Sequence, residues 1–320
     1  MNKRTLTLFL LLTFLLSLSL HCLAEDATVI RPKIGLALGG GGARGAAHIG
    51  VLKVFKRENI PVDYLVGTSA GALVGALYSG GSSPDEIERY ALSGSIKKAF
   101  KTNISIFRVL CINVNRIFKT CCRKPFYAGL YNDHRLHHFV NNTISNTDGS
   151  VNIRIPLHIL AVDLISGKHV VIKSGDVGLA VQASVAIPGL HQPIPIDNQL
   201  LVDGGVLRNI PIEEAKKMGS DIVIAVDVDS RNEQYRFKDF KSFETTLTRV
   251  INLGLVAQSE LLLNKADIVI SPNLEGVNIL DLDRNSLEKA IKAGEEAAIS
   301  KLPEIRKKLE AKAKTLRKSV

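Results

Sequence analysis

The chain has 320 residues, 46% hydrophobic and 22% charged, which excludes a disordered polypeptide and leaves room for one large α/β domain. The formal charge is +10, and Lys3 and Arg4 account for two of it, leaving +8 for the rest. Eight histidines and four cysteines have no spacing that makes a zinc site, so no metal is expected.

The N-terminus reads as a leader. Lys3 and Arg4 precede an uncharged apolar run from Leu6 to Leu20, and Cys22-Leu23-Ala24 supplies the small residues a signal peptidase reads. Residues 1–24 are therefore expected to be a signal peptide, with the mature protein exported to the periplasm or secreted. Lipidation of Cys22 wants a small residue before it and meets His21. A retained anchor wants a run of ~20 residues, longer than this one. Export would leave Cys111, Cys121 and Cys122 in an oxidising compartment, with one bridge at most, from Cys111 to either neighbour. Three unbridged cysteines fit as well.

Beyond the leader the pattern alternates. Ile34–Leu38 reads as a strand, Ala43–Glu58 as a helix, Tyr64–Val66 as a strand and Ser69–Tyr78 as a helix, a βαβα run that implies a parallel sheet. Ser83-Pro84-Asp85-Glu86 reads as a capped helix start. Further strands are expected at 157–162, 169–172, 200–202, 222–228 and 267–270. Helices are expected near 179–186, 212–218 and 245–263, with a last one from about Asp283. One three-layer domain over 33–302 accommodates these elements, with a basic helical tail at 303–320.

Charge is uneven along this domain. No Asp or Glu occurs between Arg89 and Asn132, where Arg89, Lys97, Lys98, Lys101, Arg108, Arg116, Lys119, Arg123 and Lys124 are interleaved with Phe100, Phe107, Phe118, Phe126 and Tyr127. The insertion 95–127 thus suits an anionic membrane surface, and surface helices with inward phenylalanines give the same pattern. Nucleic acid is not the expected partner.

Two glycine turns hold the chemistry. Gly40-Gly41-Gly42-Ala43-Arg44-Gly45 satisfies the dinucleotide fingerprint, but the second strand ends in Val66-Gly67-Thr68-Ser69 without the ribose-binding carboxylate, and no Gly-Lys-Ser/Thr follows. No nucleotide cofactor is therefore expected. Gly67-Thr68-Ser69-Ala70-Gly71 instead makes a nucleophile elbow between strand and helix, with Gly67 and Gly71 giving the neighbouring backbone room. Ser69 is the expected nucleophile; a turn with a capping serine is the plainer alternative. Gly40, Gly41, Gly42, Ala43 and Arg44 can then present amide N–H groups to an oxyanion. Arg44 adds positive charge there or holds a structural salt bridge.

A base is harder to find. The strongest acid, Asp203 in Leu201-Val202-Asp203-Gly204-Gly205, has no histidine after it, and Asp163 with His169 or His191 lacks the loop setting of a triad. A Ser69–Asp203 dyad is the simpler arrangement, and it requires burial to raise the carboxyl's pKa. A turn-forming aspartate before glycine is the alternative.

These three motifs, with the Ala183–Gly189 segment ASVAIPG between them, resemble the bacterial patatin-like phospholipases in order and spacing over about Ile34 to Leu302. The resemblance implies a three-layer α/β/α sandwich with a mainly parallel central sheet and a Ser69–Asp203 dyad without histidine. It also implies an oxyanion loop at Gly40–Arg44 and hydrolysis of phospholipid or other acyl-lipid esters without metal or cofactor. A non-catalytic lipid-binding protein could be built on the same scaffold. The basic, cysteine-bearing stretch at 95–127 and His191 depart from the family pattern.

Overall fold

The computed structural model describes residues 31–100, 134–146, 150–231, 235–241 and 243–318. The leader at 1–24, the cysteines 111, 121 and 122, and Lys101, Arg108, Arg116, Lys119, Arg123 and Lys124 lie outside these residues.

In chain order come β1 (Ile34–Leu38), α1 (Ala47–Arg57), β2 (Tyr64–Thr68), α2 (Ala70–Ser79), α3 (Pro84–Leu92), α4 (Ser95–Phe100) and α5 (His134–Ile144). They are followed by β3 (Leu157–Asp163), β4 (Lys168–Ile172), α6 (Val177–Ser184), β5 (Ile194–Ile196), β6 (Gln199–Asp203) and α7 (Ile212–Lys217). β7 (Ile222–Val226), α8 (Phe243–Leu262), β8 (Ile268–Ile270) and α9 (Arg284–Lys318) complete the order. The strands form one sheet, in the order β5-β6-β3-β2-β1-β7-β8, with β4 also on β3.

β3, β2, β1, β7 and β8 run parallel. Their residues explain this: β1 and β7 are apolar throughout and buried throughout, as strands covered by helices on both faces must be. The sheet is not parallel everywhere, because β4, β5 and β6 pair antiparallel at one side. The fold is thus a mainly parallel central sheet between helical layers.

The decisive register lies on β3. Along its residues 159–160, β3 pairs with β2 on one edge and β4 on the other; along 161–163, β4 continues while β6 takes the edge that β2 has left. Thr68 ends β2 opposite Leu160, and Asp203 ends β6 opposite Ala161. Two strands running in opposite senses therefore meet tip to tip on one edge of a third.

Local differences from the sequence reading have local causes. The stretch after the first glycine turn begins as a 3-10 helix at Gly42–Ala46 before the α-helix starts. The seventh strand stops at Val226 rather than Val228, where Asp227 and Asp229 begin a buried turn. α5 was not anticipated, although Leu136, Val140 and Ile144 have helical spacing and are buried. Ser83 does close a reciprocal capping box with Glu86.

The boundary placed at residue 302 falls inside α9. Pro303 removes the bond that its turn would make to Ile299, yet the helix continues. Ile305 is fully buried and Leu302 and Leu309 pack on the core, so tertiary contact outweighs the proline. α9 crosses α1 at very short range: a Cβ on Gly50 would lie 2.0 Å from Ile291 O, and one on Gly294 would lie 2.0 Å from Ala47 O. Side chains there would force the helices apart. Gly294→Val is accordingly expected to lower stability by ~3 kcal/mol, the upper end of overpacking costs, with Lys292→Ala on the exposed face near neutral. Urea unfolding of the two variants checks this.

Candidate active site

Ser69 stands where β2 hands over to α2, at φ 53° and ψ −121°. This left-handed backbone is costly for a residue with a side chain and persists only where its surroundings enforce it. They do. A Cβ on Gly67 would sit 2.5 Å from Gly71 O, and one on Gly71 would sit 2.3 Å from Leu38 O, so the elbow closes only with glycine at both places. The Ser69 amide donates to Ser184 Oγ at 2.9 Å, and that hydroxyl donates to Leu160 O at 2.5 Å. Ser184 therefore ties the elbow to β3. In sequence it lies within the Ala183–Gly189 segment, where its only signal is a small polar residue closing a largely apolar helix.

The tip-to-tip strands bring Asp203 to this elbow. Ser69 Oγ donates to Asp203 Oδ2 at 2.6 Å, while Oδ1 accepts the Gly205 amide at 2.8 Å. Both side chains are buried. Burial pushes the Asp203 carboxyl up to about 6, against the lowering effect of the bonds from Ser69 and Gly205. Among the described residues Ser69 Oγ has no imidazole partner. His48, fully buried, is held down to about 4 by desolvation and spends Nε2–H on Gly39 O. His191 Nδ1 accepts the Ile187 amide at 3.2 Å, and burial likewise lowers it to about 4. Asp163 is locked in the β3–β4 turn by Ser166 Oγ and the Leu200, Ile165 and Ser166 amides, which depress it to about 2. The triad built on Asp163 is thus ruled out.

The first glycine turn arches beside the same hydroxyl, and its amides are not equivalent. Gly40 N–H is bound by Asn209 Oδ1 at 3.1 Å, Ala43 N–H by Ile279 O at 2.8 Å and Arg44 N–H by Gly41 O at 3.1 Å. Gly41 and Gly42 are the two whose amides have no partner among the described residues, and both line the cleft at Ser69. Of the five residues expected at an oxyanion, Gly40, Ala43 and Arg44 thus have amides already bonded. Gly42, at φ +56°, must be glycine, since a Cβ there would meet Ile279 O at 2.1 Å.

Arg44 also turns away from the expected place. Its buried guanidinium donates from Nε to Val277 O at 2.8 Å and from Nη1 to Asn252 Oδ1 at 2.7 Å, tying the loop to α8 from behind. The guanidinium lines neither of the clefts at Ser69. Asn209, absent from the sequence reading, does comparable work on the other side: its Nδ2 donates to Gly40 O and to Asp229 Oδ1, so one amide side chain grips both ends of the Gly40 residue. Burial, then the charge of Asp227, pushes the Asp229 carboxyl upward.

Two clefts meet at Ser69. One, of about 270 Å³, runs past Gly41, Asp203 and Val206 to the Leu247–Gln258 side of α8. The other, of about 180 Å³, is walled by Leu73, Val74, Ile96, Phe100, Leu282 and Leu287, with His191 beside it. Lys97 reaches its rim and pairs with Asp283 at 2.6 Å. Lys97 and Lys98 are the two basic-insertion candidates within the described residues.

A hydroxyl on an enforced elbow, a buried carboxyl and a glycine-rich loop on a mainly parallel sheet define an α/β protein of the nucleophile-elbow class. The sequence profile of the patatin-like phospholipases matches residues 36–216, more than half of the chain, and the chain belongs to that family. It is 31% identical over 200 residues to "Lysophospholipase NTE1" of Yarrowia lipolytica and 34% identical over 205 residues to "Neuropathy target esterase sws" of Drosophila melanogaster. Each match covers 62% of this chain and 13% of the relative, so the shared region is a small part of those longer proteins. Among solved structures, human GIVD cytosolic phospholipase A2 superposes with a TM-score of 0.48 at 11% identity, over 88% of this chain and 63% of that one. VipD of Legionella pneumophila superposes with 0.46 at 13% identity, over 84% and 66%.

The raised Asp203 carboxyl has a consequence for stability. A folded-state value near 6, above the usual 3.8, means the native protein holds a proton that the unfolded chain has released, so stability falls as pH rises from about 4 through about 6. Asp203→Asn removes this titration. Relative to wild type, the variant should gain on the order of 1–3 kcal/mol between pH 4 and pH 8, read from denaturant midpoints at the two pH values.

Proposed function

We propose that this protein is a serine lipid acyl hydrolase of phospholipase A or lysophospholipase type, acting through a Ser69–Asp203 dyad. The 2.6 Å contact between a strained, buried hydroxyl and a buried carboxyl carries the reading. Membership of the patatin-like phospholipases supports lipid esters as the substrate class.

In this mechanism Asp203 Oδ2 takes the Ser69 proton as Oγ attacks the acyl carbonyl. The carbonyl oxygen becomes an oxyanion, and the Gly41 and Gly42 amides stabilise it. Collapse expels the alcohol, which recovers the proton from Asp203 and leaves an acyl-enzyme. Water then enters, gives a proton to the same carboxylate and releases the fatty acid, restoring Ser69. The apolar cleft between α2 and α4 suits the acyl chain, while the cleft along α8 suits the departing alcohol. A base near 6 is ionised at neutral pH and basic enough to help, so the protein environment supplies what a histidine would.

The basic stretch at 95–127 enters the proposal as an attraction to anionic lipid. Ser69→Ala and Asp203→Asn should each cut fatty-acid release by about 10²–10⁴-fold, with mass spectrometry of a defined panel of phospholipids and lysophospholipids as the readout. A fluorophosphonate probe should label wild type at Ser69 and leave Ser69→Ala unlabelled. The pH profile of kcat/KM should rise through about 6, as Asp203 ionises. Normal turnover in either variant would end the dyad reading.

A further inference from the structure

Helix α8 is amphipathic the wrong way round for a protein in water. Its buried stripe is largely polar: Thr248, Asn252 and Ser259 face inward with Leu255. Asn252 accepts from Arg44 and donates to Ser230 O, and Ser259 donates to Asp229. The outward stripe is apolar, with Val250 62%, Leu253 51% and Leu261 75% exposed. A helix packed on a soluble domain normally shows the reverse.

The exposure continues on both sides. Val206 and Leu207, in the turn after Asp203, are exposed, and so are Phe237 and Phe240 in the turn before α8. A contiguous apolar surface of this kind marks a partner. Two observations choose between occupants. The face borders the cleft that leads to Ser69, since Leu247, Val250 and Val206 line that cleft, so whatever covers the face also feeds the site. Beside Phe237 and Phe240 stand the exposed Arg236, Lys238 and Lys241, against Asp239, which Arg236 approaches, and Glu260 further along the helix. Basic and aromatic residues around an apolar face suit an anionic lipid surface. A second copy of the chain would close the mouth of the cleft. No described helix is long and apolar enough to cross a membrane.

We propose that the outer face of α8, with the turns at Val206–Leu207 and Phe237–Lys241, is the surface by which the protein lies on a phospholipid membrane. The proposal rests on the lipid-hydrolase reading for its purpose, and it names residues other than those of the basic stretch at 95–127.

The test uses the full chain, vesicles of phosphatidylcholine with phosphatidylglycerol, and a water-soluble short-chain ester. Leu253→Gln/Leu261→Gln should weaken vesicle partitioning in a flotation assay about tenfold or more, the factor given by ~1.4 kcal/mol of lost burial. Turnover of the soluble ester and the thermal midpoint should stay at wild-type values, because neither residue lines the cleft. Phe237→Ser, in a fully exposed side chain, repeats the test with little risk to folding. Unchanged partitioning of both variants overturns the proposal. So does a wild-type dimer that the double variant loses while vesicle binding is unaltered, since the face then belongs to a second copy. A wild type that floats with vesicles but does not cleave the ester would defeat the hydrolase reading and leave the docking surface standing.

Discussion

The structure depends on one sheet constraint: β2 and β6 share a single edge of β3 and end against each other at Leu160 and Ala161. Neither strand can continue, so the chain must leave the sheet sharply at both tips. At one tip this produces the elbow of Ser69, and at the other the Asp203-Gly204-Gly205 turn. Their side chains come together at 2.6 Å because the backbone leaves them nowhere else to go. A separation that short also leaves no space for an imidazole between hydroxyl and carboxyl. Among the described residues, the lack of a histidine partner thus follows from the sheet before it follows from the chemistry.

Around this junction the buried groups are polar and closely paired. Asn209 holds Gly40 at its amide and its carbonyl, Ser184 holds the elbow amide, and Arg44 anchors the far side of the loop to Asn252 and Val277. Such a network is costly to bury and rigid once satisfied. Its rigidity leaves Gly41 and Gly42 lining the cleft with amides that no described residue bonds. That is the form of preorganisation expected of a site that must receive developing negative charge.

Much of this was legible from residues alone, and the reasons are physical. Gly67 and Gly71 bracket Ser69 because no side chain fits there, so the elbow was visible as a pattern of glycines. The parallel strands were visible as continuous apolar runs. β4 and β6 were legible as strands at 169–172 and 200–202, but β5 was not, because it is three residues long with Pro195 in its middle and carries no periodicity. The roles of Arg44, Asn209 and Ser184 were hidden for another reason: each is set by a partner distant in sequence, and a polar residue does not announce which way it faces. The outward apolar stripe of α8 was hidden in the same way, since the spacing at 245–263 predicts a helix but not that its polar side is the buried one.

The first and last helices are clasped to each other at Gly50 and Gly294, and Leu287, near the start of the last helix, also walls the apolar cleft. The contact that closes the sheet's opening βα unit therefore comes from residues roughly 240 positions later. Loop closure over such a span is slow compared with local helix formation, and it must await the emergence of that helix from the ribosome. The cleft beside Ser69 is accordingly incomplete until α9 has folded back, and a nascent chain carries the hydroxyl and the carboxyl before that cleft has its Leu287 wall.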